Sequence, residues 1–282
     1  MRNAAPRCWR SALPTVWVPP AEVRAIRALL QQVEACSRLA RAWQNRAQSA
    51  LLRQGWACPA REPVTTWLAA PGAAVDEPTR IRVTSALTLA EQAAAEADRL
   101  RSEILRRVQD QPALAWLWSL LGVGPLVAVV LWATLGDPQR FRTARQVTRY
   151  AGLDPTVHQS GEADWRGHIS RQGAPLLRRI LVEAAWWAVR SADGPWPAHF
   201  AAWAPRLGKR RAIVAIARQW LIAAWRVWKD QRLAREVDPR RFQKKRSRIR
   251  ATFRDLPPYP WAERWAQWVP PSETDPVVGV PA

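Results

Sequence analysis

Two apolar stripes of similar length, separated by a proline-rich break, constrain this chain more than any other feature. Val23, Ile26, Leu30 and Val33 step by three and four residues, and Cys36, Leu39, Trp43, Ala47 and Ala50 continue the stripe until Gly55 ends it. Leu87, Ala90, Ala94, Ala97, Ile104 and Val108 form a second, heptad-like stripe over residues 79–109. Pro59, Pro63, Pro71, Gly72 and Pro78 make 56–79 a connecting loop. Together these predict a long antiparallel helical hairpin, an arm over residues 22–111. The arm is either purely intramolecular or a dimerising coiled coil. Residues 1–21 carry Pro6, Pro14, Pro19 and Pro20 and read as irregular.

Beyond the arm, residues 112–237 read as a compact helical domain, so the fold class is mainly α. Leu117, Leu120 and Leu121 close an apolar helix, Gly122-Val123-Gly124-Pro125 turns the chain, and Leu126 to Leu131 continue apolar. Pro125 suits the first turn of the second helix. A Gly-x-Gly turn at a helix start exposes backbone N–H groups that can hold a phosphate, as in a helix-hairpin-helix; a plain turn between helices uses the same residues. Thr143 is placed to cap a helix running to Tyr150. Gly152, Pro155, Gly161 and Gly167 then rule out a long helix over 152–169, while Thr156, Val157, Trp165 and Ile169 suit short strands in a small β-hairpin-like loop.

In that loop Ser160-Gly161 sits at a tip, with His158 two residues away. A serine attacks phosphorus only when activated, and a turn serine is the commoner role. His158 is read as a loop hydrogen-bonder or phosphate contact ahead of a proton-transfer group. A helix opening after Ser170, its expected N-cap, carries a stripe of Leu177, Ile180, Leu181, Ala184, Ala185 and Ala188. Arg171, Arg178 and Arg179 flank that stripe. Asp193-Gly194-Pro195 breaks the chain, a short helix spans Trp196 to Trp203, and a longer one spans 208–236 with Lys209, Arg210 and Arg211 at its start. Residues 238–282 read as a tail, first basic, then rich in Pro and Trp.

The net charge of +20 favours a polyanionic partner. Residues 139–254 hold 26 of the 43 Lys and Arg and 8 of the 23 Asp and Glu, so +18 of the charge lies there. Arginine dominates, which suits bidentate phosphate contacts, although a GC-rich gene gives the same bias. Cys8, Cys36 and Cys58 form no CxxC pair, and His158, His168 and His199 show no ligand spacing, so no metal site is expected. No secretory signal and no membrane-length apolar run is visible, which predicts a soluble, cytoplasmic protein.

Several motifs now stand in a fixed order. They are Gly122-Val123-Gly124-Pro125, Arg140-Phe141, Tyr150-Ala151-Gly152-Leu153-x-Pro155, Gln159-Ser160-Gly161, Gly167-His168-Ile169-Ser170-Arg171-Gln172-Gly173, Leu177-Arg178, and the run from Gly208-Lys209-Arg210-Arg211 to Arg218. This order resembles the C-terminal domain of the IS110, IS116 and IS902 insertion-sequence transposases, over roughly residues 112–230. Val16-Trp17-Val18-Pro19 resembles the family's linker more loosely.

The resemblance implies a DNA recombinase guided by a bridge RNA. It implies a RuvC-like half whose acidic tetrad holds Mg²⁺, and a C-terminal serine that attacks the DNA phosphate. That serine falls on Ser160, where many relatives carry two adjacent hydroxyl residues and this chain has Gln159-Ser160. Gly122, Gly124, Arg166, Arg171, Arg178, Arg179, Lys209, Arg210 and Arg211 are the expected nucleic-acid contacts. The arm is the expected route to a homo-oligomer. Residues 1–21 contain no Asp or Glu, and Asp76-Glu77 or Asp98 with Glu103 lack the setting of a metal pair. The expectation is therefore a C-terminal portion without its metal half, with no cofactor of its own and inactive alone. A non-catalytic nucleic-acid-binding remnant and a helical oligomerisation protein are the competing readings.

Overall fold

The computed structural model of the protein describes residues 17–56, Val64, 75–109, 111–160, 163–191, 194–234 and 239–252. Helix α1 (Ala21–Leu52) starts directly after Pro20, and α2 (Glu77–Arg107) starts at Asp76, whose side chain accepts from the Thr79 N–H. The two run antiparallel. Gln54 donates to Thr79 Oγ1 at 3.0 Å, Arg101 to Ser37 Oγ at 2.8 Å, and Gln111 to Glu22 at 3.3 Å, so the start of α1 lies by the end of α2. At the arm's tip Ala47, Leu51, Val64, Val75 and Val83 form a small separate core. At its base Val23, Ile26, Leu30, Val33 and Cys36 join Ala97, Leu100, Ile104 and Val108 in the main core.

That main core is built around α4. Helix α3 (Pro112–Trp118) leads through a turn into α4 (Pro125–Leu135), where Ala128 to Ala133 and Leu135 are all buried. A helix that is apolar on every side must be enclosed, and α1, α2 and α3 pack on it together with α6 (Pro175–Arg190). The last carbonyls of α4 are closed by side chains. Arg27 donates to Ala133 O at 2.6 Å and Thr134 O at 3.0 Å, Tyr150 Oη to Thr134 O at 3.1 Å, and Arg140 to Leu135 O at 2.9 Å. Cations suit a helix C-terminus because they meet both orphan carbonyls and the dipole. Arg140 is held further by the rings of Trp17, Phe141 and Tyr150, 4.2–4.6 Å from its guanidinium.

A short 3₁₀ turn (Pro138–Arg140) and α5 (Ala144–Tyr150) follow, with Thr143 capping α5 as expected. Strands β1 (Pro155–Ser160) and β2 (Ala163–Ile169) make a two-stranded antiparallel sheet. After α6 come α7 (Trp196–Leu207), α8 (Lys209–Asp230) and α9 (Pro239–Thr252). Helix α8 packs on α3, α5, α6 and α7. Its indoles reach carbonyls, Trp220 Nε1 at Leu121 and Trp225 Nε1 at Pro138. The fold is mainly α, with the arm and the small β-hairpin as expected.

Four details differ from the sequence reading. Leu39 is 53% exposed and Ala40 is buried in its place, since the stripe shifts by one residue there. Ser170 does not cap α6; Pro175 holds Ala174 extended (φ −62°, ψ 120°), so the helix begins four residues later. Helix α8 stops at Asp230, where Gln231 takes a left-handed conformation. Residues 239–252 are helical and docked. Phe242 and Ile249 enter the main core, and Lys245 donates to Trp118 O at 2.5 Å and Leu120 O at 2.6 Å. Burial pulls that lysine down to about 7, and the two carbonyls favour its protonated form against that pull. Residues 253–282, with Trp261, Trp265 and Trp268, lie outside the described residues.

Two glycine sites fix how the segments meet. Gly122 has φ +81°, and a Cβ there would lie 3.1 Å from Ala184 O of α6. Gly152 (φ +67°) and Gly173 lie where two backbone segments cross: a Cβ on Gly152 would be 2.7 Å from Gly173 N, and one on Gly173 would be 2.4 Å from Tyr150 O. Gly124 has open space beside it. We therefore expect Gly122→Ala to destabilise by about 1–2 kcal/mol from the left-handed backbone alone. Gly173→Ala should destabilise more, and Gly124→Ala should stay within about 0.5 kcal/mol of the parent. Urea unfolding of the three variants in parallel reads this order; equal effects at Gly122 and Gly124 would refute it.

Candidate nucleic-acid interface

Strand alternation and turn residues in 155–169 place the expected serine on the hairpin. Val157 pairs with Arg166, His158 with Trp165, Gln159 with Asp164, and Ser160 with Ala163, so β1 ends at Ser160. Gly161 and Glu162, between the strands, lie outside the described residues. A register irregularity between Pro155 and Val157 bends the start of β1.

The hairpin is rooted by several bonds at one place. Ser170 donates from its backbone N–H to Asp154 O at 2.8 Å and from Oγ to Asp154 Oδ1 at 2.7 Å. Arg171 N–H donates to Gly152 O at 3.2 Å, directly beside the Gly152–Gly173 crossing. Arg178 Nη1 reaches Gly173 O at 2.5 Å and Ala151 O at 3.4 Å, bridging both crossing segments from α6. Burial, with the Arg171 charge nearby, pulls Arg178 below the ordinary arginine value. Arg171 itself is exposed and adopts φ +56°, an unusual conformation for a residue with a Cβ. The sequence reading missed Asp154 and Ser170 as partners; their signal was the glycine pair that brings them together.

The expected contact residues therefore fall into two groups. Arg178 and Arg179 are engaged within the protein: Arg178 as above, and Arg179, at the surface, with Glu34 of α1 and, at 3.2 Å, with Glu183, tying the arm to α6. Gly122 is consumed by its contact with α6, whereas Gly124 stands open at the N-cap of α4. Arg166 is placed on β2. Lys209, Arg210 and Arg211 are exposed in the first turn of α8 and have no partner among the described residues. With Arg206 at the end of α7 and Gly208 at φ +79°, they form a sharp basic corner. Gly208 offers α8 no side-chain cap, and the first turn has no acid. Cations at the positive end of a helix each cost about 0.3–1 kcal/mol. The fold gains nothing from them there; an incoming anion does.

Charge elsewhere is spent internally. Arg27, Arg140, Arg178, Lys229 and Lys245 all donate to main-chain carbonyls. Among the described residues no group of three or more His, Cys, Asp or Glu is arranged to hold a metal ion. No helix among them is long and apolar enough to cross a membrane.

Comparison with known proteins points to the same stretch. Residues 115–202 match the model of the family described as Transposase IS116/IS110/IS902 family. The chain is 41% identical over 122 residues to transposase y4rJ of Sinorhizobium fredii, covering 42% of this chain and 31% of that protein. It is 33% identical over 121 residues to a family 20 transposase of Pseudomonas aeruginosa, covering 42% and 36%. Over 113 residues it is 32% identical to the transposase for insertion sequence element IS1111A of Coxiella burnetii, covering 38% and 30%. The match spans about a third of the length of these relatives. The matched stretch holds α4, the rooted hairpin and α6, and over it the chain is similar to the IS116/IS110/IS902 transposase family.

Proposed function

We propose that this chain is the DNA-handling part of an insertion-sequence transposase, with Ser160 as nucleophile and Arg171, Lys209, Arg210 and Arg211 among its phosphate contacts. The rooted hairpin carries the reading: a family-matched segment brings Ser160 to the end of a strand whose base is pinned at Gly152, Asp154, Ser170, Gly173 and Arg178. Pre-organised elements of this kind suit chemistry that depends on positioning. In the reaction, Ser160 Oγ bonds to phosphorus, the bond from phosphorus to one deoxyribose oxygen breaks, the hydroxyl proton leaves to a base, and the departing oxygen is protonated. Mg²⁺ belongs, in this proposal, to a RuvC-like region; the described carboxylates form no cluster to hold it, and no step here passes through a metal.

Binding without strand transfer is the second reading. Favouring it, the arm's carboxylates pair with arginines, Glu96 with Arg99, Asp98 with Arg101, and Glu103 with Arg106 and Arg107. A denaturant-resistant protein–DNA adduct, formed on DNA flanking this reading frame with its co-encoded RNA present, separates the two. Ser160→Ala should abolish the adduct and leave binding intact. An adduct that persists in Ser160→Ala removes the nucleophile assignment, and no adduct with the parent leaves the binding reading. The guide RNA is part of the same proposal, and failure to recover RNA with the protein from a host carrying the element counts against it.

Replacing Lys209, Arg210 and Arg211 together by Ala should flatten log K against log salt by about 0.9 for each duplex phosphate no longer neutralised. Thermal stability should not fall, because the helix sheds unfavourable charge at its N-terminus. An unchanged slope would exclude this corner from the interface.

The arm is proposed to join two copies of the chain. Ile81 is 59% and Leu89 37% exposed, two turns apart on the outer face of α2 with Ser85 between them. Sedimentation should show a multimer for the parent and a monomer for Ile81→Glu with Leu89→Glu; the same mass for both overturns the idea.

A further inference from the structure

We propose that Arg142, just before α5, and Arg145 and Arg149 on it form a second phosphate-binding row, taking the phosphodiester backbone of a nucleic acid and leading it to the root of the β1–β2 hairpin. The proposal rests on the reading of this chain as a nucleic-acid binder and names a surface that reading did not include.

All three side chains are exposed and have no partner among the described residues. Two residues before Arg142, Arg140 donates from Nε to Leu135 O and lies against three aromatic rings. The chain therefore uses arginine in opposite ways within ten residues. Arg145 and Arg149 are one turn apart on α5, so they share a face. Like charges at that spacing destabilise a helix by about 0.2–0.5 kcal/mol, and α5 holds no acidic residue to offset them. A folded chain alone derives no benefit from that arrangement; a bound polyanion reverses its sign.

The row is also held rigidly. On the inner face of α5, Val147 and Thr148 are fully buried, and the helix packs on α8. Before it, Lys229 donates to Phe141 O at 3.0 Å; Gln146 Oε1 accepts from the Arg142 N–H at 2.7 Å; at its end Tyr150 is tied to Thr134 O. From Arg145 to Arg149 four residues at about 1.5 Å each span about 6 Å, the axial rise of about two phosphates of one DNA strand at about 3.4 Å each, and Arg142 extends the row beyond the helix start. The end of the row meets the hairpin root directly, since the Gly152 N–H donates to Arg149 O at 2.9 Å and Gly152 O accepts from Arg171. Exposed Arg171 continues the positive surface past that point.

The test is a salt titration of binding with the full chain, using a short duplex DNA of arbitrary sequence and, separately, a single-stranded oligonucleotide. Arg142→Ala, Arg145→Ala and Arg149→Ala combined should flatten the slope by about 2–3 on the duplex, or about 2 on the single strand if that is the occupant. The corresponding triple Lys variant should keep the parent slope, and neither should melt earlier than the parent. Single Arg145→Ala and Arg149→Ala variants serve if the triple variant misfolds; each should flatten the duplex slope by about 0.9. A parent with a steep slope and variants with the same slope overturns the row alone. A parent with no slope on either probe overturns the nucleic-acid reading and the row with it.

Discussion

Enclosure of α4 is the constraint on which the rest depends. Eleven residues from Pro125 to Leu135 are apolar on every side apart from Thr134, so no surface position is open to them. Each apolar side chain buried contributes on the order of 1.5–3 kcal/mol, and that gain is realised only if several helices arrive around α4 together. The base of the arm, α3 and α6 are recruited this way. The helix ends then need polar closure inside a crowded core. At the C-terminus Arg27 comes from the arm and Arg140 and Tyr150 from the chain just downstream. At the other end, Gly122 lets the α3–α4 turn lie against the backbone of α6. The arm is thus bonded into the body by the same interactions that complete α4.

A consequence is that net charge is a poor guide to this protein's surface. Several cations are structural parts, each closing carbonyls that would otherwise be buried without partners, which costs about 1–3 kcal/mol apiece. Arg178 is the informative case. It lies between expected phosphate contacts in sequence, yet its guanidinium bridges Ala151 and Gly173. The cations at 142–149, 171 and 206–211 are different in kind: they face solvent, and Arg145 with Arg149, and Lys209 to Arg211, disfavour their own helices. Charge placed against the local electrostatics is a sharper indicator of a polyanion than charge alone.

Much of the fold was legible because periodicity is local. The two arm stripes, the Thr143 cap, the Gly-rich turn and the alternating 155–169 segment each carry their signal within a few residues. Failures came where distant segments decide. Ser170 has the chemistry of a helix cap, but Pro175 sets the helix start and Asp154 claims the hydroxyl. The run after 238 looks like a solvated basic tail because Phe242 and Ile249 are only two residues among many charges, yet one face of two turns suffices to dock α9. The candidate serine was legible only through the order of motifs around it. Its neighbours Gly152 and Gly173 are far apart in sequence, and nothing local reveals that their backbones touch.

That crossing has a further implication for how the hairpin can vary. Its two ends are joined by the touching backbones, the Asp154–Ser170 pair and Arg178, so the segment between them is closed independently of its own length. For a flexible loop, doubling the number of residues adds only about 0.6 kcal/mol of closure entropy. The body would therefore tolerate hairpins longer or shorter, provided the five root positions stay as they are. In effect the base of 155–169 is closed by its root, and its length can change without disturbing the core.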